Sequence, residues 1–356
     1  MGSQAMRCFR LLRLALVVVL ANASLATFAD DGDADGLFAS QGRAIHSWPA
    51  STIESETGAI ATASDGSVFV AGSFSFPVPE QRDAITLLRF RADGLPDASF
   101  GNAGVAQFDI DPTSQASESA VGVFALTGGR SLVLATRHID GTMGVRPVLI
   151  WVRADGTPDP AFGTNGVREI DISRWVGNDL EFTATRMTDE GRIVIVGSIF
   201  NDDVIEFIAA RVLQNGGLDA TFGDEGWTRI GTDERIRATS MTLDDLGRIV
   251  IAGRTLGSGA DDRPAVARLG TNGVPDAGFG DGGLARVDGL TGEWGADAVV
   301  SGIRTIPGSF LQRRLFVAIS RNSPRATGIL GLTANGAPSS TFGTDGFVDL
   351  SLEEGS

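Results

Sequence analysis

The sequence predicts an all-β protein, a β-propeller of about five four-stranded blades that follows an N-terminal signal peptide. A glycine-rich motif recurs about every 60 residues, and consecutive copies are separated by four strand-like runs bounded by turns. No helical period is found beyond the signal segment. Four antiparallel strands in about 60 residues are typical of a propeller blade, although common blade types use about 40–50. We expect residues 30–356 to form one domain of five repeats. A β-solenoid or open array is the alternative, although its usual repeats are shorter.

The composition supports a packed domain and excludes several classes of function. The chain has 356 residues, of which 42% are hydrophobic and 21% charged, so a core is expected. The net charge is -15 and all 29 basic residues are arginine, which disfavours binding to nucleic acid. The only cysteine is Cys8, so disulfides, thiol catalysis and cysteine-based metal sites are not expected.

The N-terminus has the pattern of a secretory signal peptide. Three arginines precede a short apolar run, Leu14–Ala21, and small residues follow it. The run is shorter than the roughly 20 residues of a membrane span, so an uncleaved anchor is disfavoured. We predict a signal peptide in residues 1–29, cleaved somewhere from 23 to 29, which also removes Cys8. The mature chain is then exported and not inserted into a membrane.

The repeated unit is D-G-x-x-D-x-x-F-G-x-x-G. Five copies begin at Asp93, Asp155, Asn215, Asn272 and Asn335, and a degenerate copy spans Asp35–Gly42. The central Asp, Phe and Gly are Asp97, Phe100, Gly101; Asp159, Phe162, Gly163; Asp219, Phe222, Gly223; Asp276, Phe279, Gly280; and, with Ser339 at the Asp position, Phe342 and Gly343. A ring of ligand-binding carboxylates is one interpretation. We favour a structural one, in which Asp holds a turn, Gly supplies backbone angles closed to other residues, and Phe is buried.

These repeats resemble the delta-60 repeat family of bacterial exported proteins. The resemblance rests on G-x-x-D-x-x-F-G-x-x-G at Gly94–Gly104, Gly156–Gly166 and Gly216–Gly226, and it covers essentially the whole mature chain. It implies a propeller-like fold and export to the periplasm, cell surface or medium of a bacterium, and it implies no chemistry. The terminal copies depart from the pattern at Ala39 and Ser339, as terminal repeats commonly do.

The residue types order the strands within a blade. The run rich in small residues suits the crowded axis, the two apolar runs suit the middle of the sheet, and the alternating run after the motif suits the outer edge. A blade therefore reads as second, third and fourth run followed by the next first run, and Phe347–Leu350 completes blade five. In the other register, which stays open, Ala44–Trp48 belongs to blade one.

Variable loops on one side of the disc are the predicted binding surface, because ring scaffolds commonly carry binding residues on such loops. Aromatic and acidic side chains there would suit a sugar or a cationic peptide, although ordinary solvated loops are the simpler interpretation. The candidate residues are Trp175, Trp294, His138, Asp202, Asp203, Asp261, Asp262 and Arg321.

No cofactor is expected, and calcium is the one ion with a partial motif. The acidic stretch Asp31–Gly36 matches the start of a calcium loop, but its twelfth position is Gly42 instead of Glu. The two histidines, His46 and His138, lie in different repeats without neighbouring ligands, so a zinc site is not expected. Motifs of serine hydrolases, zinc proteases and nucleotide-binding loops are absent from the sequence.

Three functions are compatible with this sequence. The first is an exported, non-catalytic scaffold that binds a protein or a glycan. The second is a propeller hydrolase or lyase acting on a polysaccharide or lactone, which needs two facing carboxylates about 5–9 Å apart or a central ion. The third is a structural or secretion-passenger module. The fold alone does not separate them.

Overall fold

The structure is a computed structural model, and it describes residues 38–40, 42–46, 54–75, 83–110, 117–138, 144–201, 204–231, 235–257, 263–287, 299–306, 314–322 and 325–350. The predicted signal peptide and the acidic stretch Asp31–Gly36 lie outside the described residues. Within them the protein is all-β apart from two short 3-10 turns, Thr127–Gly129 and Ser173–Trp175.

Twenty strands form five four-stranded antiparallel sheets, which are the blades of a five-blade β-propeller. Blade one contains β1 (Glu54–Thr62), β2 (Val68–Ser75), β3 (Asp83–Phe90) and β4 (Val105–Phe108). Blade two contains β5 (Glu118–Ala125), β6 (Ser131–His138), β7 (Val145–Val152) and β8 (Val167–Glu169). Blade three contains β9 (Asp179–Met187), β10 (Ile193–Asn201), β11 (Val204–Val212) and β12 (Trp227–Ile230). Blade four contains β13 (Ile236–Leu243), β14 (Ile249–Thr255), β15 (Pro264–Leu269) and β16 (Leu284–Arg286), and blade five contains β17 (Val299–Ile306), β18 (Arg314–Asn322), β19 (Arg325–Leu332) and β20 (Phe347–Asp349).

The strand order within each blade is the one that the residue types predict. Every sheet runs in chain order, and the short strand after the motif pairs with the third strand at the outer edge. The last strand, β20, pairs with β19 and completes blade five. Residues 44–46 belong to no strand, and the rest of the predicted early strand, 47–48, lies outside the described residues. The register that places Ala44–Trp48 in blade one is therefore not the one observed.

The first strands of successive blades are neighbours, so they are the inner strands: β1 contacts β5, β5 contacts β9, β9 contacts β13 and β13 contacts β17. Each inner strand carries a β-bulge at the same level, for example between Ala120 and Gly122 in β5 and between Ala238 and Ser240 in β13. A bulge bends the strand and increases its twist. Small residues beside the bulge let neighbouring strands approach, since a Cβ on Gly122 would lie 2.0 Å from a methyl group of Thr185 in the next blade.

The hydrophobic core is divided among the seams between consecutive blades. Four clusters of buried side chains join blades one and two, two and three, three and four, and four and five. In the seam between blades four and five, for example, blade four contributes Val250 and Ala252, and blade five contributes Val317 and Ile319. Among the described residues no fifth cluster joins blade five to blade one.

Candidate functional site

The repeated motif fastens each blade to the next. The Asp side chain accepts a hydrogen bond from the backbone two residues later, as in Asp219 with Thr221 (3.1 Å) and Asp276 with Gly278 (3.0 Å). The Gly has a φ of 55° in Gly223 and Gly280, which an ordinary side chain rarely adopts. Its N–H donates to the backbone carbonyl of the Asx residue in the following blade, from Gly223 to Asn272 at 2.7 Å and from Gly280 to Asn335 at 2.9 Å.

An arginine on the third strand completes this fastening in blades one, three and four. Arg89, Arg211 and Arg268 approach the motif carboxylates of Asp97, Asp219 and Asp276 with Nε–Oδ2 distances of 3.3, 2.9 and 2.8 Å. A second guanidinium nitrogen donates to a carbonyl of the next blade, that of Ala154, Thr271 and Ala334 respectively. In blades three and four the guanidinium also stacks on the motif Phe ring at 4.9 and 4.5 Å. This arginine was not predicted from the sequence.

Hydrogen bonds and arginine charges lower the pKa of the carboxyl groups of Asp97, Asp219 and Asp276. For Asp219, burial alone would raise the pKa, but hydrogen bonds from Thr221 and the charges of Arg211 and Arg192 bring the pKa below its ordinary value. For Asp276, burial likewise opposes the backbone hydrogen bond from Gly278 and the charge of Arg268, and the pKa is lowered. Carboxylates held ionised inside a seam stabilise the fold. The motif carboxylates therefore have a structural role.

The second blade departs from this pattern. Trp151 stands where the arginine stands in blades one, three and four, and its ring packs on Phe162 with centroids 5.5 Å apart. Phe162 is half-buried, whereas Phe100, Phe222 and Phe279 are fully buried. The carbonyl of Asn215 in blade three accepts instead from the guanidinium of Arg168, at 2.8 Å. Three of the five tryptophans, Trp151, Trp175 and Trp227, belong to the core around this seam.

Two of these tryptophans border a groove of about 470 Å³ at the rim of blade three. Arg174 and Trp175, on a 3-10 turn between blades two and three, form one side, and Gly273–Pro275 of blade four form the other. The outer strand supplies Trp227, Thr228 and Arg229, and the motif loop supplies Gly223 and Asp224. We call this site the rim groove. It combines an aromatic wall with charged groups of both signs, as small-molecule sites commonly do.

Trp175 is the central side chain of the rim groove. Its ring meets Trp227 edge to face, with centroids 5.9 Å apart and planes at 81°. The guanidinium carbons of Arg174 and Arg229 lie 5.2 and 6.0 Å from the Trp175 ring. The indole N–H groups of Trp175 and Trp227 are buried without a hydrogen-bond partner. An unpaired buried donor costs about 1–3 kcal/mol, so packing against neighbouring side chains has to hold the two indoles in place.

The two arginines of the groove are fixed by carboxylates. Arg174 donates to both the carbonyl and a carboxylate oxygen of Asp224, and Arg229 pairs with Glu206 through Nε at 2.9 Å. Thr228 donates to the carbonyl of Gly273 at 2.7 Å, which ties blade three to blade four across the floor of the groove. The charges are therefore balanced and the geometry is held in place before any ligand arrives.

Of the predicted variable-loop residues, the structure describes Trp175, His138 and the backbone of Arg321. Trp175 packs onto the outer strand of blade three beside the motif loop, so it belongs to the rim. His138 is exposed at the end of β6, and its backbone N–H donates to the carbonyl of Ser117. Arg321 lies in β18, paired with Ala326, and its side chain is not described. The remaining predicted residues lie outside the described residues: Trp294, Asp202, Asp203, Asp261 and Asp262.

Arg174, Asp224, Trp227 and Arg229 were not predicted as site residues. Asp224 lies inside the repeated motif, which appeared structural, and Trp227 lies in a strand. The available signal was an arginine beside each of two tryptophans, in Arg174–Trp175 and in Trp227–Arg229. Among the described residues no group of three or more His, Cys, Asp or Glu side chains is placed to hold a metal ion. No helix in the described part of the chain is long and apolar enough to cross a membrane.

Two segments match a family model, described as "Domain of unknown function (DUF5122) beta-propeller", at residues 63–100 and 247–279. Each segment runs from the turn before a second strand to the Phe of a motif, which is the repeating part of a blade. The match supports a β-propeller repeat family. No curated protein matches the sequence.

Several solved structures share the propeller architecture at low similarity. An exo-1,5-α-L-arabinanase from a bovine ruminal metagenomic library is 12% identical, covers 86% of this chain and 99% of its own, and has a TM-score of 0.31. A subtype N10 neuraminidase-like protein from a little yellow-shouldered bat isolate is 12% identical over 82% of this chain and 81% of its own, with a TM-score of 0.45. An N-acetylgalactosamine deacetylase from F. plautii is 9% identical over 81% and 82%, with a TM-score of 0.41. None of these similarities is high enough to transfer a function.

Proposed function

We propose that the protein is an exported, non-catalytic binding scaffold whose rim groove holds a glycan. The observation that carries the proposal is the pairing of Trp175 with Arg174, Arg229 and Asp224 around a groove of about 470 Å³. An indole face suits the apolar face of a sugar ring, and fixed guanidinium and carboxylate groups suit hydroxyl groups at its edge. The propeller supplies the rigid frame on which such a site depends.

The repeated motif supports a scaffold function because its polar groups are already used. The carboxylates of Asp97, Asp219 and Asp276 are each engaged with an arginine and with their own turn. Ligand contacts repeated around the ring by these carboxylates would break the fastening between blades. A single ligand site beside an irregular seam, such as the rim groove, leaves these contacts between blades intact.

Export to a bacterial periplasm, cell surface or medium, by cleavage of residues 1–29, is part of the proposal, as is assignment to the delta-60 repeat family. Both rest on the N-terminal sequence pattern and on the motif at Gly94–Gly104, Gly156–Gly166 and Gly216–Gly226. Mass spectrometry of the secreted and periplasmic fractions of a bacterial host would identify the mature N-terminus. A chain that keeps residues 1–29 would contradict cleavage.

Thermal unfolding of the mature chain against neutral glycans, acidic glycans, calcium and a chelator tests the binding function. A ligand at 100 times its dissociation constant adds about 2.7 kcal/mol to the free energy of unfolding, which raises the melting temperature measurably. We expect a shift with one glycan class. The calcium and chelator arms test the acidic stretch Asp31–Gly36, for which the scaffold proposal requires no ion.

A pair of variants locates the binding site. Trp175→Ala removes the wall of the rim groove, and Trp151→Ala removes an indole that packs against Phe162 away from the groove. The glycan-dependent shift should disappear in Trp175→Ala and persist in Trp151→Ala. A shift that survives in Trp175→Ala would place the ligand elsewhere. A flat panel with one cooperative transition would exclude a glycan and leave a protein partner.

A further inference from the structure

The inner strands carry three arginines, and one of them is neutralised by a carboxylate of the neighbouring blade. Arg237 in β13 donates to Glu181 in β9 through Nε at 2.8 Å and through Nη2 at 2.6 Å. This bidentate pair raises the pKa of Arg237, because the hydrogen bond and the charge of Glu181 outweigh the effect of burial. Arg237 therefore shows how this fold compensates an arginine near its axis.

The other two inner-strand arginines have no such carboxylate. Arg186 in β9 and Arg304 in β17 each donate through Nη1 to the backbone carbonyl of the preceding residue, at 2.8 and 3.0 Å. Asp244, which follows β13, is engaged by Arg248, with Nε and Oδ2 2.7 Å apart. In the part of the chain that the structure describes, no Asp or Glu forms an ion pair with Arg186 or Arg304.

The two uncompensated arginines occupy the same position in their strands. Each lies three residues after the bulge residue that the strand pairing skips, which is Thr183 in β9 and Ser301 in β17. Because the inner strands surround the axis, equivalent positions lie at one level around it. The equivalent residue of β13, between them in the order of the blades, is the buried Thr242. The two guanidinium groups thus come from blades three and five, on either side of blade four.

Their mutual repulsion adds to the cost of burying a charge. Arg186 is half-buried; burial lowers its pKa, and the charge of Arg304 lowers that pKa further. The two groups are therefore close enough for each charge to disfavour the other. Charges that proteins withdraw from water are normally paired, because an isolated one is costly. Arg304 is exposed, so an ion can reach the pair from solvent.

We infer that Arg186 and Arg304 form an anion site at the propeller axis, which binds a doubly charged oxyanion of the phosphate or sulfate kind. Two guanidinium groups offer forked N–H donors to the oxygens of one tetrahedral anion. A charge of -2 neutralises both arginines, whereas a monocarboxylate neutralises one. The net charge of the protein is -15, which opposes nonspecific accumulation of anions, so saturable binding reports a local site.

The test is isothermal titration calorimetry of the full mature chain with inorganic phosphate, at about pH 8, where phosphate is mainly a dianion. The buffer contains chloride at fixed ionic strength, and acetate is the singly charged comparison. We expect saturable binding of phosphate, and binding at least tenfold weaker, or about 1.4 kcal/mol, for acetate and for the variants Arg186→Gln and Arg304→Gln. Glucose 6-phosphate carries the same group on a larger molecule; its tighter binding would assign the natural ligand to such a molecule, and equal binding to the free ion.

The matched control is Arg130→Gln. Arg130 is exposed and donates through Nε to the backbone carbonyl of Thr127, 3.1 Å away, in a loop of blade two. This variant should bind phosphate like the parent protein. A second readout is the melting temperature. In chloride alone, Arg186→Gln should melt at or above the parent, because a half-buried uncompensated charge is removed, and saturating phosphate should reverse that order.

Three results would overturn the inference. The first is a parent protein that binds no phosphate, and the second is binding by Arg186→Gln and Arg304→Gln that equals binding by the control. The third is a loss of binding in Arg229→Gln alone, which would place the anion in the rim groove. Arg304→Gln decides the matter should Arg186→Gln fail to fold, since Arg304 is exposed. None of these results depends on glycan binding at the rim groove.

Discussion

At the residue scale, the fold depends on a small set of side chains used repeatedly. An arginine on the third strand, a motif Asp and a motif Phe form one unit that reaches into the next blade in blades three and four. Blade two replaces the arginine with Trp151, and blade five replaces it with Gly331, whose missing side chain leaves room for the Phe342 ring. The two exceptions lie next to the rim groove and in the last blade.

The motif Phe should contribute strongly to stability where the unit is complete. Phe222 is fully buried under Arg211, whereas Phe162 is half-buried beside Trp151. Phe222→Ala should therefore reduce the free energy of unfolding by about 3–5 kcal/mol, the range of buried aromatic truncations. Phe162→Ala should cost clearly less. Urea denaturation gives both values, and equal losses would contradict a role that depends on burial.

The Asp219 carboxylate should make stability dependent on acidic pH. Because hydrogen bonds from Thr221 and the charges of Arg211 and Arg192 hold its pKa below the ordinary value of about 3.9, the unfolded chain takes up the proton first as the pH falls. The stabilisation is complete above about pH 4 and is lost as the pH falls through the lowered pKa. Asp219→Asn should be less stable at neutral pH and should show a shallower loss below pH 4. Melting temperatures from pH 2 to 7 check this, and parallel profiles would contradict it.

At the scale of the strands, the residue types predicted the order of the strands within a blade but not the residues at which each strand begins and ends. Small residues at the axis and apolar residues in the middle follow from packing, so the order inner to outer was predictable. The inner strand of blade one, Glu54–Thr62, begins before its small residues, because its backbone pairing continues to Ser75 of the second strand. The bulge in each inner strand has no marker that a single sequence reveals.

The site was less predictable than the strands, for two physical reasons. A tryptophan in a loop can turn toward either of the elements that flank it, and Trp175 turns onto Trp227, where the two rings exclude water from each other. The third-strand arginine that contacts the next blade was not predicted because it lies four residues before the Asx–Gly pair, outside the glycine-rich pattern. Aligning Arg89, Arg211 and Arg268 by that offset would have revealed it.

Two glycines in one motif loop separate backbone strain from steric conflict. Gly280 and Gly282 have φ values of 55° and 59°, but a Cβ on Gly280 would lie 2.2 Å from the carbonyl oxygen of Leu284, whereas one on Gly282 meets nothing within 4 Å. The other copies place Ala103, Asn165, Glu225 and Asp345 at the position of Gly282. Gly282→Ala should cost about 1 kcal/mol from strain alone, and Gly280→Ala several times more. Denaturant midpoints of the two variants give the comparison, and similar losses would show that the loop can shift to admit the methyl group.

At the scale of the whole molecule, stability should vary along the array because each blade depends on its neighbours. Blades two, three and four have a buried core on both sides, whereas the described residues of blade one, and those of blade five, have one on a single side. Nearest-neighbour coupling of this kind lets repeat proteins open from their ends. Backbone amides in the first and last blades should therefore exchange faster than those in the middle blades.

Hydrogen exchange followed by mass spectrometry should show that the amides of an inner strand exchange more slowly where the preceding blade covers that strand. Glu54–Thr62 should exchange faster than Asp179–Met187, although each pairs with the second strand of its own sheet in the same antiparallel way. The reason is that Ile60 is exposed, whereas Thr185, at the equivalent position, is buried against blade two. Equal protection of the two strands would contradict a local stability that depends on cover by the preceding blade.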